Sequence, residues 1–140
     1  MEKDELIVKH LEMIQEVITR MARNSFMLKG WSMTIITALL ALAASSKQSQ
    51  FVFIAYIPAL VFWSLDGFFL SQERYFRRLY DKVRHQIVDP KTAEEIEIFS
   101  MNAPKYAKPG DGWLPVSFSR TLMLFHGMVA FSITMVMVFI

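Results

Sequence analysis

Asp66 is the residue whose chemistry contrasts most with its surroundings. It interrupts an uncharged run that extends from Gln48 to Leu65 and resumes at Gly67. An aspartate at the centre of a bilayer costs on the order of 3 kcal/mol, so it normally faces other helices or water and is a candidate functional site. Asp66 precedes Ser71 by five residues, which puts it roughly 7–8 Å inside the end of a span at a helical rise of about 1.5 Å per residue. It is therefore an acid that lines a pore or cavity, a structural polar clamp, or a side chain that snorkels to the boundary.

Two other titratable side chains can pair with Asp66. His126 lies six residues after Arg120 in the last apolar run, and Lys29 stands at the start of the first. His126 is predicted at a depth similar to that of Asp66, and Lys29 is predicted near the inner end of the first span. We expect Asp66 to pair with His126 or with Lys29, and Asp66 and His126 are the candidate residues of a lumen.

The segment after Asp66 combines cations with aromatic residues. If it is helical, four of its cations share one face through steps of three, four and one: Arg74, Arg77, Arg78 and Lys82. Such a face is typical of the cytoplasmic end of a membrane helix that contacts anionic lipid. It also suits a phosphate-rich ligand, since cations follow the phosphates of single-stranded nucleic acid while aromatic rings stack on its bases. The candidate ligand-binding residues are Arg74, Arg77, Arg78, Tyr80, Lys82 and Arg84.

Patterns typical of catalysis are missing from the sequence. It has no Gly-rich phosphate loop, no H-E-x-x-H motif and no nucleophile elbow. Its three histidines are scattered, and without cysteine it can form neither a disulfide nor a Cys-based zinc site. We predict that the protein is not an enzyme and uses neither a metal nor another cofactor.

Three uncharged, apolar runs must position these residues: 30–46, 48–70 with Asp66 inside it, and 121–140. A helix needs about 20 residues to cross the hydrocarbon core. The runs predict an all-α membrane protein with three transmembrane helices at 26–46, 51–71 and 118–140. The alternative, three buried helices of a soluble domain, is disfavoured because one small core cannot cover runs of this length.

The basic residues predict the orientation of the chain. Only Lys47 lies in the short link between the first two runs, and every other Lys and Arg lies before Trp31 or between Arg74 and Arg120. By the positive-inside rule, the N-terminus and the segment 72–117 are cytoplasmic and the C-terminus is outside. The acidic first residues do not form a signal peptide.

Both cytoplasmic segments are predicted to be largely helical. In 1–25, apolar residues recur at heptad-like spacing, which fits a short coiled coil or a stripe that packs on the helix after the second span. That helix is expected to run to Ile87 and to end at Asp89-Pro90. Thr92 and Glu95 form a capping-box pattern that predicts a helix over 93–101, followed by an ordered loop. The apolar residues of the first segment are Ile7, Leu11, Ile14, Ile18 and Met21.

Small residues form a line in the first apolar run: Thr37, Ala41 and Ser45, widened by Thr34 and Ala38. Such lines allow two membrane helices to approach closely. Packing within one chain and a contact between subunits are equally compatible with this pattern.

Two stretches carry a resemblance to known proteins. They are Phe26–Ser32 (FMLKGWS) and Phe62–Phe69 (FWSLDGFF), the latter followed by Gln72-Glu73-Arg74. Together they resemble small bacterial antiphage-defence membrane effectors, in particular the effectors of the Hailong system, with the broader SLATT group as a second candidate. The resemblance covers roughly residues 5–87 and the general plan of the rest.

The resemblance implies a homotetrameric channel in the bacterial inner membrane. A paired nucleotidyltransferase would make a DNA oligomer, or a cyclic nucleotide in related systems, that binds the cytoplasmic part and holds the channel shut. Loss of this ligand would depolarise the cell, and Asp66 is the match to an acid in the lumen. The alternative from the residues alone is a non-conducting membrane adaptor that docks a cytoplasmic partner protein.

Overall fold

The computed structural model describes residues 2–140, so Met1, the first residue of the predicted segment 1–25, lies outside the described residues. The described chain is helical and contains no β-strand: α1 (Lys3–Ser46), α2 (Gln50–Val88), a 3₁₀ turn (Ala103–Tyr106), α3 (Trp113–Ser117) and α4 (Arg120–Phe139). Three of these, α1, α2 and α4, are long and apolar enough to cross a membrane. The predicted class, an all-α protein with three such helices, is therefore confirmed.

Helices α1 and α2 form a long antiparallel hairpin. They are joined by three residues, of which Lys47 adopts the left-handed conformation with φ of 55°, as is common directly after a helix. Pro58 lies inside α2 without ending it, which neighbouring helices make tolerable in an apolar setting. As predicted, α2 extends far beyond its apolar half and stops before Pro90.

The charged half of the hairpin, 3–24 of α1 with 72–88 of α2, has its own apolar core. Ile7, Ile14 and Ile18 of α1 are buried in one cluster with Leu79 and Val83 of α2. The heptad-like stripe therefore packs on α2 within the chain, as one of the two predictions had it. Leu11 is partly buried against the same cluster, which is closed by Ile96 and Ala103 from the following segment.

The prediction of a helix over 93–101 is wrong. This segment is non-helical, and Thr92 Oγ1 donates to Asp89 Oδ2 at 2.6 Å and makes no capping bond to a helix. Ile96 is buried and Ile98 half-buried, whereas the glutamates on either side of Ile96 are exposed. This alternation with a period of two fits an extended segment whose apolar side lies on the hairpin.

The apolar half of the chain is a second cluster that α4 completes. Ile36 and Ala43 of α1, Val52 and Ala55 of α2, and Val129 and Ile133 of α4 are buried together. The small residues Thr34, Thr37, Ala38, Ala41 and Ser45 are all exposed, so they do not serve packing within the chain. Ser119 occupies the N-cap position of α4, but its side chain makes no capping bond.

Candidate functional site

Asp66 lies at the centre of a buried polar cluster that joins α1, α2 and α4. Its side chain is 0% exposed. Oδ2 accepts hydrogen bonds from Lys29 Nζ at 2.6 Å and from His126 Nε2 at 2.8 Å. Oδ1 accepts a hydrogen bond from the Ser25 hydroxyl. The sequence predicted a pairing with His126 or with Lys29, and the structure brings both to the same carboxylate.

Helical spacing on α1 places two of these partners. Ser25 and Lys29 are four residues apart and therefore share one face of the helix. Lys29 Nζ donates to Ser25 Oγ at 2.9 Å and also lies 5.7 Å from the centre of the Phe125 ring. The ammonium thus has three neighbours that favour its charge: a carboxylate, a hydroxyl and an aromatic face.

Aromatic rings hold His126 in place on α4. Its imidazole stacks on Trp63 with ring centres 6.5 Å apart and meets the edge of Phe125 at 5.0 Å. The second ring nitrogen, Nδ1, is buried without a hydrogen-bond partner among the described residues, as is Ser32 Oγ one turn beyond Lys29. Because Nε2 faces the carboxylate, the geometry selects the tautomer or the cation that carries a proton on Nε2.

The cluster lies at a defined level that we call the junction. There the apolar halves of α1 and α2 pass into their charged halves, near Ser25 and Ser71. The carboxylate balances the charge of Lys29, and its hydrogen bonds tie three helices together at one height. Within a single chain the carboxylate is enclosed and faces no open cavity, a geometry that suits the predicted structural clamp.

The residues around Asp66 on α2 anchor the short helix α3. Trp63 Nε1 donates to the Ser117 carbonyl at 2.8 Å, and Trp113 Nε1 donates to the Ser64 carbonyl at 2.9 Å. Gly67 lies directly beneath Ser117, so that a Cβ at position 67 would overlap the Ser117 hydroxyl. A side chain at position 67 would force Ser117 to shift, because α3 approaches the helix backbone closely.

A second ion pair fixes the loop that precedes α3. Arg78 donates from Nε and Nη2 to the two carboxylate oxygens of Asp111, at 2.9 and 3.2 Å. The Lys108 backbone N–H also donates to this carboxylate, and Ser71 Oγ donates to the Asp111 carbonyl. The hydrogen bonds from Arg78 and the nearby guanidinium charge lower the pKa of Asp111 below its usual value, and the same pairing raises the pKa of Arg78.

The structure places the six predicted ligand-binding residues in three different settings. Arg78 is held by Asp111, Arg77 pairs with Glu73 at 2.6 Å, and Arg74 lies 3.5 Å from the Gly110 carbonyl. Tyr80 packs partly against the core of the charged half and lines an open groove beside α1. Lys82 and Arg84 are exposed and form no ion pair or side-chain hydrogen bond within residues 2–140.

Three residues of these clusters were not foreseen from the sequence: Ser25, Gly67 and Asp111. Ser25 stands four residues before Lys29, a helical spacing that was available as a signal. Gly67 is the residue after Asp66 in an apolar helix, where a glycine marks close approach. Asp111 is the only acidic residue after Glu97, yet its partner is remote in the chain and no spacing predicts the pair.

Metal binding has no support in the described part of the chain, where no group of three His, Cys, Asp or Glu side chains is placed to hold an ion. Comparison with protein-family models, with curated proteins and with solved structures finds no match for this chain. The resemblance to antiphage-defence effectors therefore remains a prediction.

Proposed function

We propose that this protein is a homo-oligomeric membrane channel that acts as a toxic effector in antiphage defence and is controlled by a cytoplasmic nucleotide or DNA oligomer. The observation that carries the proposal is the buried cluster of Lys29, Asp66 and His126. It joins all three apolar helices where α1 and α2 pass into their charged halves. A ligand that moves the charged half of the hairpin would therefore act on every apolar helix of the chain.

The setting of the channel follows from the charge distribution and the resemblance. The positive-inside rule puts the charged half of the hairpin in the cytoplasm and the C-terminus outside. The resemblance supplies the bacterial inner membrane, the tetrameric state and a paired nucleotidyltransferase that makes the ligand. In this proposal the ligand holds the channel shut, and its loss opens it.

Assembly is required because three helices cannot enclose a pore. In the most apolar stretch of each of the three long helices, 22% of the residues are buried inside the chain. Five small residues of α1 are exposed on that uncovered surface: Thr34, Thr37, Ala38, Ala41 and Ser45. Close contact between α1 and a second subunit would cover them, which favours the interpretation as a contact between subunits.

The enclosed state of Asp66 indicates what opening would involve. Its carboxylate has three partners within one chain, and we assign this arrangement to the closed channel. Asp66 and His126 would reach a lumen only after α1 or α4 moves away and the cluster opens. The cluster then holds the closed state, and its weakening favours conduction.

The cations of α2 that are open to an anionic ligand are Arg77 and Arg84, which are seven residues apart on one face of the helix, and Lys82 on the other flank. Arg77 is 59% exposed in its pair with Glu73, and exposed pairs contribute only about 0–1 kcal/mol, so a phosphate can replace the carboxylate. Arg78 is excluded from this set because it holds Asp111. Reversal of Arg78 would therefore report on the loop as well as on ligand binding.

Ion flux from liposomes tests the proposal. Purified wild-type protein without ligand is expected to release potassium, and Asp66→Asn is expected to change the rate of release. Asp81→Asn is the matched control, because Asp81 is exposed on the same helix outside the cluster. A folded, oligomeric wild-type protein that releases no potassium would contradict the proposal.

A membrane adaptor without ion conduction is the second candidate. It is favoured by the carboxylate of Asp66, whose partners all lie within the chain, so that no lumen is needed to explain its position. It is also favoured by a groove that could receive a partner protein, lined by Leu11, Glu16, Arg20 and Tyr80. A stoichiometric protein partner that co-purifies while liposomes stay sealed would support it. In that case Asp66→Asn lowers stability and changes no flux.

A further inference from the structure

Helix α3 lies beside the apolar half of α2 and not beyond its end. Ser117 sits on Gly67, and the Trp113 indole reaches the carbonyl of Ser64. Ser64 precedes Ser71 by seven residues, which is roughly 10 Å along a helix at about 1.5 Å per residue. The chain therefore turns into the apolar layer after Asp111, whose carbonyl is bound by Ser71, and then continues as α4.

The outer face of α3 is apolar and uncovered. Trp113 is 47% exposed, Leu114 61% and Phe118 58%, and Phe68 of α2 is 46% exposed. In water a contiguous patch of this kind would favour association or aggregation. At the depth set by Ser64 and Gly67, acyl chains would cover it, and the indole N–H of Trp113 is already bound by the Ser64 carbonyl.

The exposed charged residues that flank α3 are basic. Lys108 precedes it and Arg120 follows it, and both are exposed. The single acidic residue between Ile98 and the C-terminus is Asp111, and its charge is matched by Arg78. The surroundings of α3 thus present unmatched positive charge at the membrane boundary, which attracts anionic headgroups.

We propose that residues 112–119 form an interfacial element inserted into the leaflet at the junction and that its partner is anionic phospholipid. Trp113, Leu114 and Phe118 contact the acyl chains, while Lys108 and Arg120 bind the headgroup phosphate. The segment 72–117 is then not wholly cytoplasmic, because its last residues lie within the membrane. This inference rests on the membrane insertion contained in the proposed function and is independent of ion conduction.

Depth measurement tests the insertion directly. The chain has no cysteine, so a single Leu114→Cys or Phe118→Cys variant carries one nitroxide label at a known position. In liposomes, collisions with oxygen report an apolar environment and collisions with a soluble nickel chelate report water. Leu124→Cys, 70% exposed on α4, is the membrane reference, and Lys91→Cys, exposed after the end of α2, is the aqueous reference.

Labels at 114 and 118 are expected to behave like the label at 124. If they instead follow the label at 91 while the label at 124 is protected, the inference is overturned and membrane insertion stands. If the label at 124 is itself accessible to nickel, the proposed membrane function fails together with it. Helicity measured by circular dichroism identifies a variant that has not folded, and the two labelled positions are independent of each other.

Lipid preference tests the headgroup contact. Spin-labelled phosphatidylglycerol and phosphatidylcholine are compared for immobilisation by wild-type protein and by Lys108→Gln with Arg120→Gln. The preference for phosphatidylglycerol is expected to fall about five-fold for each basic residue removed, the equivalent of about 1 kcal/mol per cation near the surface. Lys91→Gln, the control, is expected to keep the preference. An unchanged preference in the double variant would refute the proposed binding of anionic phospholipid.

Discussion

Replacing Asp66 by Asn removes the negative charge of the buried cluster while keeping its shape. An asparagine carbonyl oxygen can still accept from Lys29 and His126, and its amide can donate to Ser25 Oγ, so most of the hydrogen bonding survives. The substitution leaves the charge of Lys29 unmatched, and this lowers stability because the side chain is only 23% exposed. Breaking a buried ion pair by removing one partner costs about 3–5 kcal/mol.

The exposed fraction of Lys29 lowers this figure. A lysine near the boundary can turn its ammonium toward water while its methylene chain stays in place. We therefore expect Asp66→Asn to reduce the free energy of unfolding by about 2–3 kcal/mol, below the full cost of a broken buried pair. Asp81→Asn, exposed on the same helix, is expected to change it by less than about 0.5 kcal/mol.

A double-mutant cycle with Lys29→Met isolates the pair. Met keeps an apolar side chain of similar length, so the double variant leaves no unmatched lysine charge. Its loss of stability is expected to be smaller than the sum of the two single losses by about 0.5–3 kcal/mol, the range of coupling for groups in one network. Unfolding in mixed micelles, followed by circular dichroism and tryptophan fluorescence, measures all four proteins. Strictly additive losses would refute the assignment of the cluster as a clamp.

Three further outcomes follow from individual contacts. Gly67→Ala is expected to displace α3 and to cost about 1–3 kcal/mol of stability as an overpacked site. The control Gly127→Ala, whose added Cβ meets nothing within 4 Å, is expected to be neutral in the same unfolding assay. Equal effects of the two substitutions would refute the close contact between α3 and Gly67. The pKa of Asp111 is lowered mainly by hydrogen bonds from Arg78. The pair therefore stabilises the loop fully at pH values above the ordinary aspartate pKa of about 3.9, and this stabilisation is lost as the pH falls below that value. Arg78→Gln should flatten that part of the profile of melting temperature against pH, and an unchanged profile would contradict the pairing. Lys82→Glu is expected to weaken binding of a short single-stranded oligonucleotide and to reduce the dependence of its affinity on salt concentration by the equivalent of about one phosphate contact. If the wild-type protein does not bind the oligonucleotide at low salt, the proposal of a nucleic-acid ligand is refuted.

Much of the helical plan was predictable because the apolar runs and the charge pattern are local features. The extension of α2 to Val88 follows from a sequence without Gly or Pro after Gly67 until Pro90. The pairing of Asp66 was predictable because few charged groups lie within the apolar runs, and each needs a partner. That Lys29 and His126 share one carboxylate oxygen required the three-dimensional structure.

The segment between α2 and α4 shows where sequence reasoning fails. Thr92 and Glu95 match a capping box, but burial of Ile96 against the hairpin favours an extended chain over a helix. The position of α3 depends on contacts between Ser117 and Gly67, 50 residues apart. Local propensity is weak in short segments, so remote packing decides their conformation.

Current across a planar bilayer that contains the purified wild-type oligomer distinguishes a channel from a non-conducting membrane protein. We expect discrete current steps without ligand, an open probability that rises in Asp66→Asn as the cluster weakens, and no change in Asp81→Asn. A folded wild-type oligomer that inserts into the bilayer and passes no current would contradict the proposed channel.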